Sequence, residues 1–263
     1  MRFNLHTHTP RCKHASGSEE EFVRVAIENH YDTLGFADHG PWPFEDGFVS
    51  RIRMDVGELA GYVQAVRKAG EAHAGQIRVL CGLEYEYFPA YMPWLRETRE
   101  ALGLDYLILG NHFDGKENGG FYFGNCATPA QRAQYLQQTI AGMETGLFAY
   151  VAHPDLFLRR AQPFDESCVQ DSRTLCRAAK ALGLPLEYNL LGLRYQARDA
   201  GKYPGLGYPC EPFWEVAAEE DCAAILGVDA HHVVHLQDPE LYDLAALHLK
   251  TLGLRRLEAS PIG

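Results

Sequence analysis

The stretch Thr33-Leu34-Gly35-Phe36-Ala37-Asp38-His39-Gly40 decides how the chain is read. Five residues without a charge give way at once to a carboxylate, an imidazole and a glycine. A short apolar run with no polar alternation is how a strand covered on both faces looks, and such strands belong to parallel sheets. The pattern recurs on either side. Strands are expected over Arg2–His6, Thr33–Ala37, Arg78–Glu84, Tyr106–Gly110, Leu147–Ala152, Pro185–Tyr188 and Ala223–Val228. Helical spacing fills the intervals. Ser18-Glu19-Glu20-Glu21 forms a capping box ahead of Phe22, Val23, Ala26 and Ile27, and Val56–Ala74, Pro93–Leu102, Pro129–Thr145, Asp165–Leu182, Pro212–Asp221 and Pro239–Leu252 follow. Three helices run out through Leu-Gly-Leu, at Gly103, Gly183 and Gly253, where glycine can take the left-handed conformation that closes a helix. Seven strand–helix units predict one α/β domain over residues 1–263, a parallel barrel, with an open parallel sheet as the other arrangement.

Composition narrows the function. The chain has 263 residues, a net charge of −11 from 24 basic and 35 acidic side chains, and 46% hydrophobic content. No apolar run approaches the roughly 18 residues that span a bilayer, and Met1 and Arg2 lead into Phe3-Asn4-Leu5-His6 without the apolar core of a secretion signal. An acidic surface is a poor match for long nucleic acid, whose phosphates need a basic face. Seven cysteines, an odd number with no CxxC pair, suit reduced thiols in a cytoplasm and read as buried fillers. Two stretches lack periodicity, Gly40–Asp55 with Trp42 and Phe44, and the glycine- and aromatic-rich Asp114–Thr128; such loops serve as lids or binding segments.

Residues able to bind metal sit at the strand ends. The first strand closes on His6-Thr7-His8, the second on Asp38-His39-Gly40 and the third on Glu84. The fourth runs into Asn111-His112, the fifth into His153-Pro154 and the seventh into Asp229-Ala230-His231, with His14 in the loop after the first. In a parallel barrel all C-terminal strand ends open on one face. A lone histidine is ordinarily a structural residue; six strand ends carrying such groups together are not. Imidazole and carboxylate suit zinc, manganese or iron, and a shared carboxylate can hold two ions. His30, His73, His232, His235 and His248 lack this placement and read as surface or capping residues, with His232 able to orient its neighbour His231.

This ordered set, with Ala37-Asp38-His39-Gly40, Gly82-Leu83-Glu84, Ala152-His153-Pro154 and Asp229-Ala230-His231, resembles the PHP (polymerase and histidinol phosphatase) superfamily of metal-dependent phosphoesterases. The resemblance implies a distorted (β/α)7 barrel with three divalent metal ions. His6, His8, Glu84 and Asp229 would surround the first. Glu84 would bridge to a second, held also by His112 and His153, and His14, His39 and His231 would hold the third. Leu109-Gly110-Asn111-His112-Phe113, Leu186-Glu187-Tyr188-Asn189 and Gly192-Leu193-Arg194 make the chain most similar to the monofunctional histidinol-phosphate phosphatases of histidine biosynthesis.

The expected reaction is hydrolysis of a small phosphomonoester, L-histidinol phosphate, by in-line attack of a metal-bridging hydroxide, with Asp229, Glu84 and His39 as catalytic groups and Asp114 as a proton donor. Arg160 and Arg194 are the expected phosphate clamps, because the guanidinium fork gives two parallel hydrogen bonds. Glu187 and Asn189 are expected to meet the amine and imidazole of the substrate, or else to form a polar pair inside the barrel. Two other readings stay open, a phosphoesterase acting on another monoester or on nucleotide phosphodiester ends, and a non-catalytic module stabilised by metal.

Overall fold

The computed structural model describes residues 2–199 and 205–263. The chain gathers into two compact units, one of Met1–Ile108, Val228–Glu240 and Glu258–Gly263, the other of Leu109–Gly227 and Leu241–Leu257.

In the first unit the order is β1 (Phe3–Asn4), α1 (Glu19–Glu28), β2 (Thr33–His39), α2 (Leu59–Ala72), β3 (Arg78–Tyr85), α3 (Met92–Leu102) and β4 (Tyr106–Leu109), whose last residue already belongs to the second unit. The sheet runs β1-β2-β3-β4, and the β1/β2 and β2/β3 pairs are parallel. All seven residues of β2 are buried, as a run without polar alternation requires. Ser18 and Glu21 form the expected capping box at the start of α1. Tyr106 reaches across the sheet to donate to the carbonyls of Leu5 (2.7 Å) and Phe36 (3.1 Å). The aperiodic loop after β2 is pinned from within. Arg53 forms a buried two-pronged ion pair with Glu86, at 2.8 Å in each prong, and Trp42 donates to the same carboxylate.

The second unit carries α4 (Pro129–Glu144), α5 (Glu166–Leu182), β5 (Leu186–Asn189), α6 (Leu190–Arg198), α7 (Glu211–Glu219), β6 (Ala223–Gly227), α8 (Pro239–Thr251, entered from the first unit) and β7 (Arg255–Arg256). Its sheet is β5-β6-β7, parallel in both pairs. Gly103, Gly183 and Gly253 all adopt positive φ, at 60°, 70° and 80°, so each Leu-Gly-Leu does end a helix as its sequence suggests.

Four elements differ from the sequence reading, one of them β7, a two-residue strand at Arg255–Arg256 where none was expected. The strand expected over Leu147–Ala152 shrinks to Val151, which bridges Leu109 on one side and Leu186 on the other. The run is buried by packing, and Pro185 beside it has no N–H to extend the ladder. Arg2–His6 pairs as a strand only at Phe3–Asn4. Helix α6 was not expected, because it starts directly after β5 with no punctuation. Its cap is the strand's own last residue, Asn189, whose Oδ1 accepts from Gly192 N at 2.9 Å.

Candidate metal centre

Parallel pairing sets up the first cluster. In the β2/β3 register His39 stands beside Glu84, and the two side chains meet with Nδ1 2.9 Å from Oε2. His6, Thr7 and His8 leave β1 between two partners. Ala37 N donates to Thr7 O, His8 N to Ala230 O, and Ala230 N to His6 O, all at 2.9–3.0 Å. Asn4 ties the same crossing, its Oδ1 accepting from His6 N and from Val228 N. Residues some 220 positions apart in sequence are thereby fixed as neighbours, and Asp229 and His231 arrive beside His6 and His8. His6 Nε2 lies 3.5 Å from both Glu84 Oε2 and Asp229 Oδ1, and His8 Nε2 lies 3.0 Å from Asp229 Oδ1.

Seven of the nine expected ligands therefore share this unit. Their donor atoms form close sets, His6–His8–Asp229, His8–His39–Glu84 and His14–His39–His231, each with its atoms within 4.8 Å of one another. The other two expected ligands lie in the second unit. There the rings of His112 and His153 stand 4.8 Å apart between centroids. His153 N donates to Glu187 Oε2, and so does the amide of Asn189, each at 3.0 Å. Gly227 leaves the room this carboxylate needs, since a Cβ there would overlap it. His153 and Asp229 both hold positive φ, 31° and 52°, which non-glycine residues adopt only where surrounding bonds enforce it, often at functional sites.

The donor chemistry fits divalent cations. His14 Nδ1 lies 2.7 Å from Cys12 O, and His231 Nδ1 lies 3.1 Å from Asp229 O. A carbonyl only accepts, so both protons sit on Nδ1 and both Nε2 lone pairs face inward. Those two nitrogens are 3.1 Å apart. Two lone pairs at that distance repel unless a proton or a cation lies between them. His8 is oriented in the same way by Asp38, whose Oδ1 lies 3.3 Å from its Nδ1. Asp38 also accepts from Thr9 N, the Thr9 hydroxyl and His39 N, so one buried carboxylate aligns two ligands.

Protonation in the cluster is strongly coupled. Burial opposes the charged form of His8, yet the carboxylates of Asp229 and Asp38 outweigh it and hold this imidazole well above its ordinary range. Burial likewise resists ionisation of Asp229, and His6, His8 and His231 override it, holding the carboxyl well below its usual range. His231 goes the other way, driven well down by burial and by the charge of His8.

The remaining expected residues lie in the second unit. Asp114 accepts from Phe121 N (2.6 Å) and Gln134 Nε2 (3.0 Å), fastening the loop that follows it. Arg160 and Arg194 are half-buried, Arg194 on α6. Glu187 and Asn189 are fully buried and bonded to each other, the polar-pair alternative. His232 Nδ1 pairs with the Ser16 hydroxyl at 2.7 Å. His235, read as a surface or capping residue, accepts from His231 N at 3.2 Å. Asp38 stands in the sequence among the strand-end groups able to bind metal, and Cys12 reads there as a buried filler. Asp38 was legible as the residue before a strand-end histidine, whereas nothing in sequence marks Cys12.

Residues 4–189 match the family model described as the PHP domain, and the chain belongs to that family. A Deinococcus radiodurans protein named a probable histidinol-phosphatase is 27% identical over 238 residues, covering 86% of this chain and 85% of that one. Among solved structures, one from Listeria monocytogenes has a TM-score of 0.73 at 21% identity, covering 89% of this chain and 97% of that one. The Lactococcus lactis histidinol phosphate phosphatase, solved with zinc, L-histidinol and phosphate, has a TM-score of 0.70 at 15% identity, covering 97% and 95%. These likenesses show the fold expected from the sequence, the α/β barrel type of PHP proteins.

Proposed function

We propose that the chain is a metal-dependent phosphatase that hydrolyses L-histidinol phosphate to L-histidinol and phosphate. The observation that carries this reading is the convergence of His6, His8, His14, His39, Glu84, Asp229 and His231 in one unit, with imidazole lone pairs of His14 and His231 facing each other at 3.1 Å. These seven side chains would hold the cations, and the family resemblance gives His112 and His153 the same task. Three ions are the number that resemblance implies. Divalent cations at such a site supply Lewis acidity toward phosphoryl oxygens and lower the pKa of water from ~15.7 to about 7.

The chain's own groups do the rest. Asp38 keeps the proton of His8 on Nδ1, leaving Nε2 basic. Glu187 and Asn189 fix the backbone of His153 rather than reach for substrate. Arg194 and Arg160 are assigned the phosphate, whose two negative charges an acidic chain would otherwise repel. Asp114 is assigned the proton for the leaving alkoxide, its carboxylate anchored by Phe121 N and Gln134. The single domain over residues 1–263 is likewise part of this reading.

Phosphate release from purified, metal-replete protein tests it. Release from histidinol phosphate should far exceed release from p-nitrophenyl phosphate, and a histidine auxotroph lacking this step should be rescued. Comparable rates on generic monoesters would replace the substrate, and nucleotide release from DNA ends would favour the phosphodiesterase reading. No hydrolysis of any phosphoester would leave the non-catalytic module.

A further inference from the structure

We propose that Cys12 is a sulfur donor to a divalent cation in the first unit, an inference that rests on the metal-site reading above. Cys12 ends a 3-10 turn, Pro10–Cys12, and its side chain is fully buried. Its Sγ shares a close set with a nitrogen of His8 and a nitrogen of His231, all three atoms within 4.8 Å of one another. Ligand distances of about 2.3 Å for sulfur and 2.0–2.1 Å for nitrogen put two donors of one zinc ion roughly 3–4 Å apart, so small adjustments bring this set onto a single ion.

A second observation points to the same place. His8, on this side of Cys12, is wholly buried and its Nε2 lies 3.0 Å from Asp229 Oδ1, so the thiol stands beside an imidazole already held against a carboxylate of the cluster. The backbone of Cys12 serves the cluster as well, since its carbonyl oxygen receives His14 Nδ1 at 2.7 Å and so turns His14 Nε2 inward. One residue thus orients an imidazole and offers a thiol to its neighbours. Among the described residues no other cysteine joins such a set. Cys222, for comparison, spends its thiol on the carbonyl of Cys176 at 3.4 Å. A thiolate selects zinc and cobalt over manganese, because soft sulfur binds the more thiophilic ions better.

The test is spectroscopic and needs no substrate. Metal-free protein is titrated with Co2+ while visible d–d bands and the near-ultraviolet sulfur-to-cobalt charge-transfer band are followed. Wild-type protein should develop both. Cys12→Ser should keep the d–d bands and lose the charge-transfer band, whereas Cys81→Ser should keep both. The serine variant should also shift its preference from zinc towards manganese in competition between the two ions. Cobalt uptake by wild type without the charge-transfer band overturns the proposal, and that result requires no variant to fold. So does a band that survives in a folded Cys12→Ser protein. Failure to take up Co2+ at all would instead remove the metal-site reading on which the proposal stands.

Discussion

Replacing Asp38 by Asn tests how the cluster is held. The Asp38 carboxylate accepts on one oxygen from His39 N at 2.8 Å and faces His8 Nδ1 at 3.3 Å, and on the other from Thr9 N at 3.1 Å and from the Thr9 hydroxyl. An asparagine oxygen can take over only one of these places. If it keeps the two Thr9 bonds, the new NH2 confronts His39 N, and one buried amide loses its acceptor at a cost of about 1–3 kcal/mol. The same NH2 donates to His8 Nδ1, which moves the proton of the ring to Nε2, the atom that must bind the cation. Loss of such an orienting partner lowers metal affinity about 10–100-fold, or roughly 1.4–2.7 kcal/mol. Metal-free Asp38→Asn should melt about 2–12 °C below wild type, taking ~2–4 °C per kcal/mol for a chain of this size. Zinc affinity is measured by competition with a chromophoric chelator. A folded variant that binds zinc within about twofold of wild type would show that Asp38 does not set the His8 tautomer, against the usual effect of an orienting carboxylate.

Further outcomes follow from the same geometry. Gly40→Ala places a methyl group into the Tyr85 ring directly after His39; overpacking of this kind costs about 1–3 kcal/mol, and thermal melts together with weakened metal uptake should show His39 displaced. Arg53→Met leaves Glu86 buried without its two-pronged partner, a loss of about 3–5 kcal/mol that replacing Glu86 by Leu as well should largely restore; melts of the single and double variants decide it. Because His8 is held above its ordinary range in the metal-free chain, zinc binding at neutral pH must expel its proton. Uptake should release protons to an indicator dye, and apparent affinity should climb with pH until His8 titrates. The sign for stability runs with it: a raised imidazole pKa stabilises the metal-free fold below the unfolded value near ~6.5 and stops doing so as pH rises through the folded value. Arg194→Ala should raise KM for a phosphorylated substrate with kcat changed less, and an unaltered KM in steady-state assays would reject the clamp.

Much of the architecture is written locally. Thr33–Ala37 is apolar without alternation, as strands covered on both faces are; Ser18 with Glu21, and the glycines at 103, 183 and 253, mark helix ends through bonds made within a few residues. The ligand positions are legible for a related reason. Imidazoles and carboxylates at His6, His8, His39, Glu84 and Asp229 interrupt runs that would otherwise stay apolar, and desolvating them calls for a compensating partner. Leu147–Ala152 shows the limit, since burial through packing and burial through pairing leave the same apolar signature.

Tertiary structure alone decided what each polar group touches. Asp38 aligns His8 and His39, the carbonyls of Cys12 and Asp229 turn two imidazoles towards each other, and Glu187 with Asn189 faces His153 N. Hydrogen bonds and lone-pair directions depend on distances of a few tenths of an ångström between residues far apart in the chain. Residue type and spacing specify which elements form and which groups they carry to their ends; the orientation of those groups arises only when the strands are packed side by side.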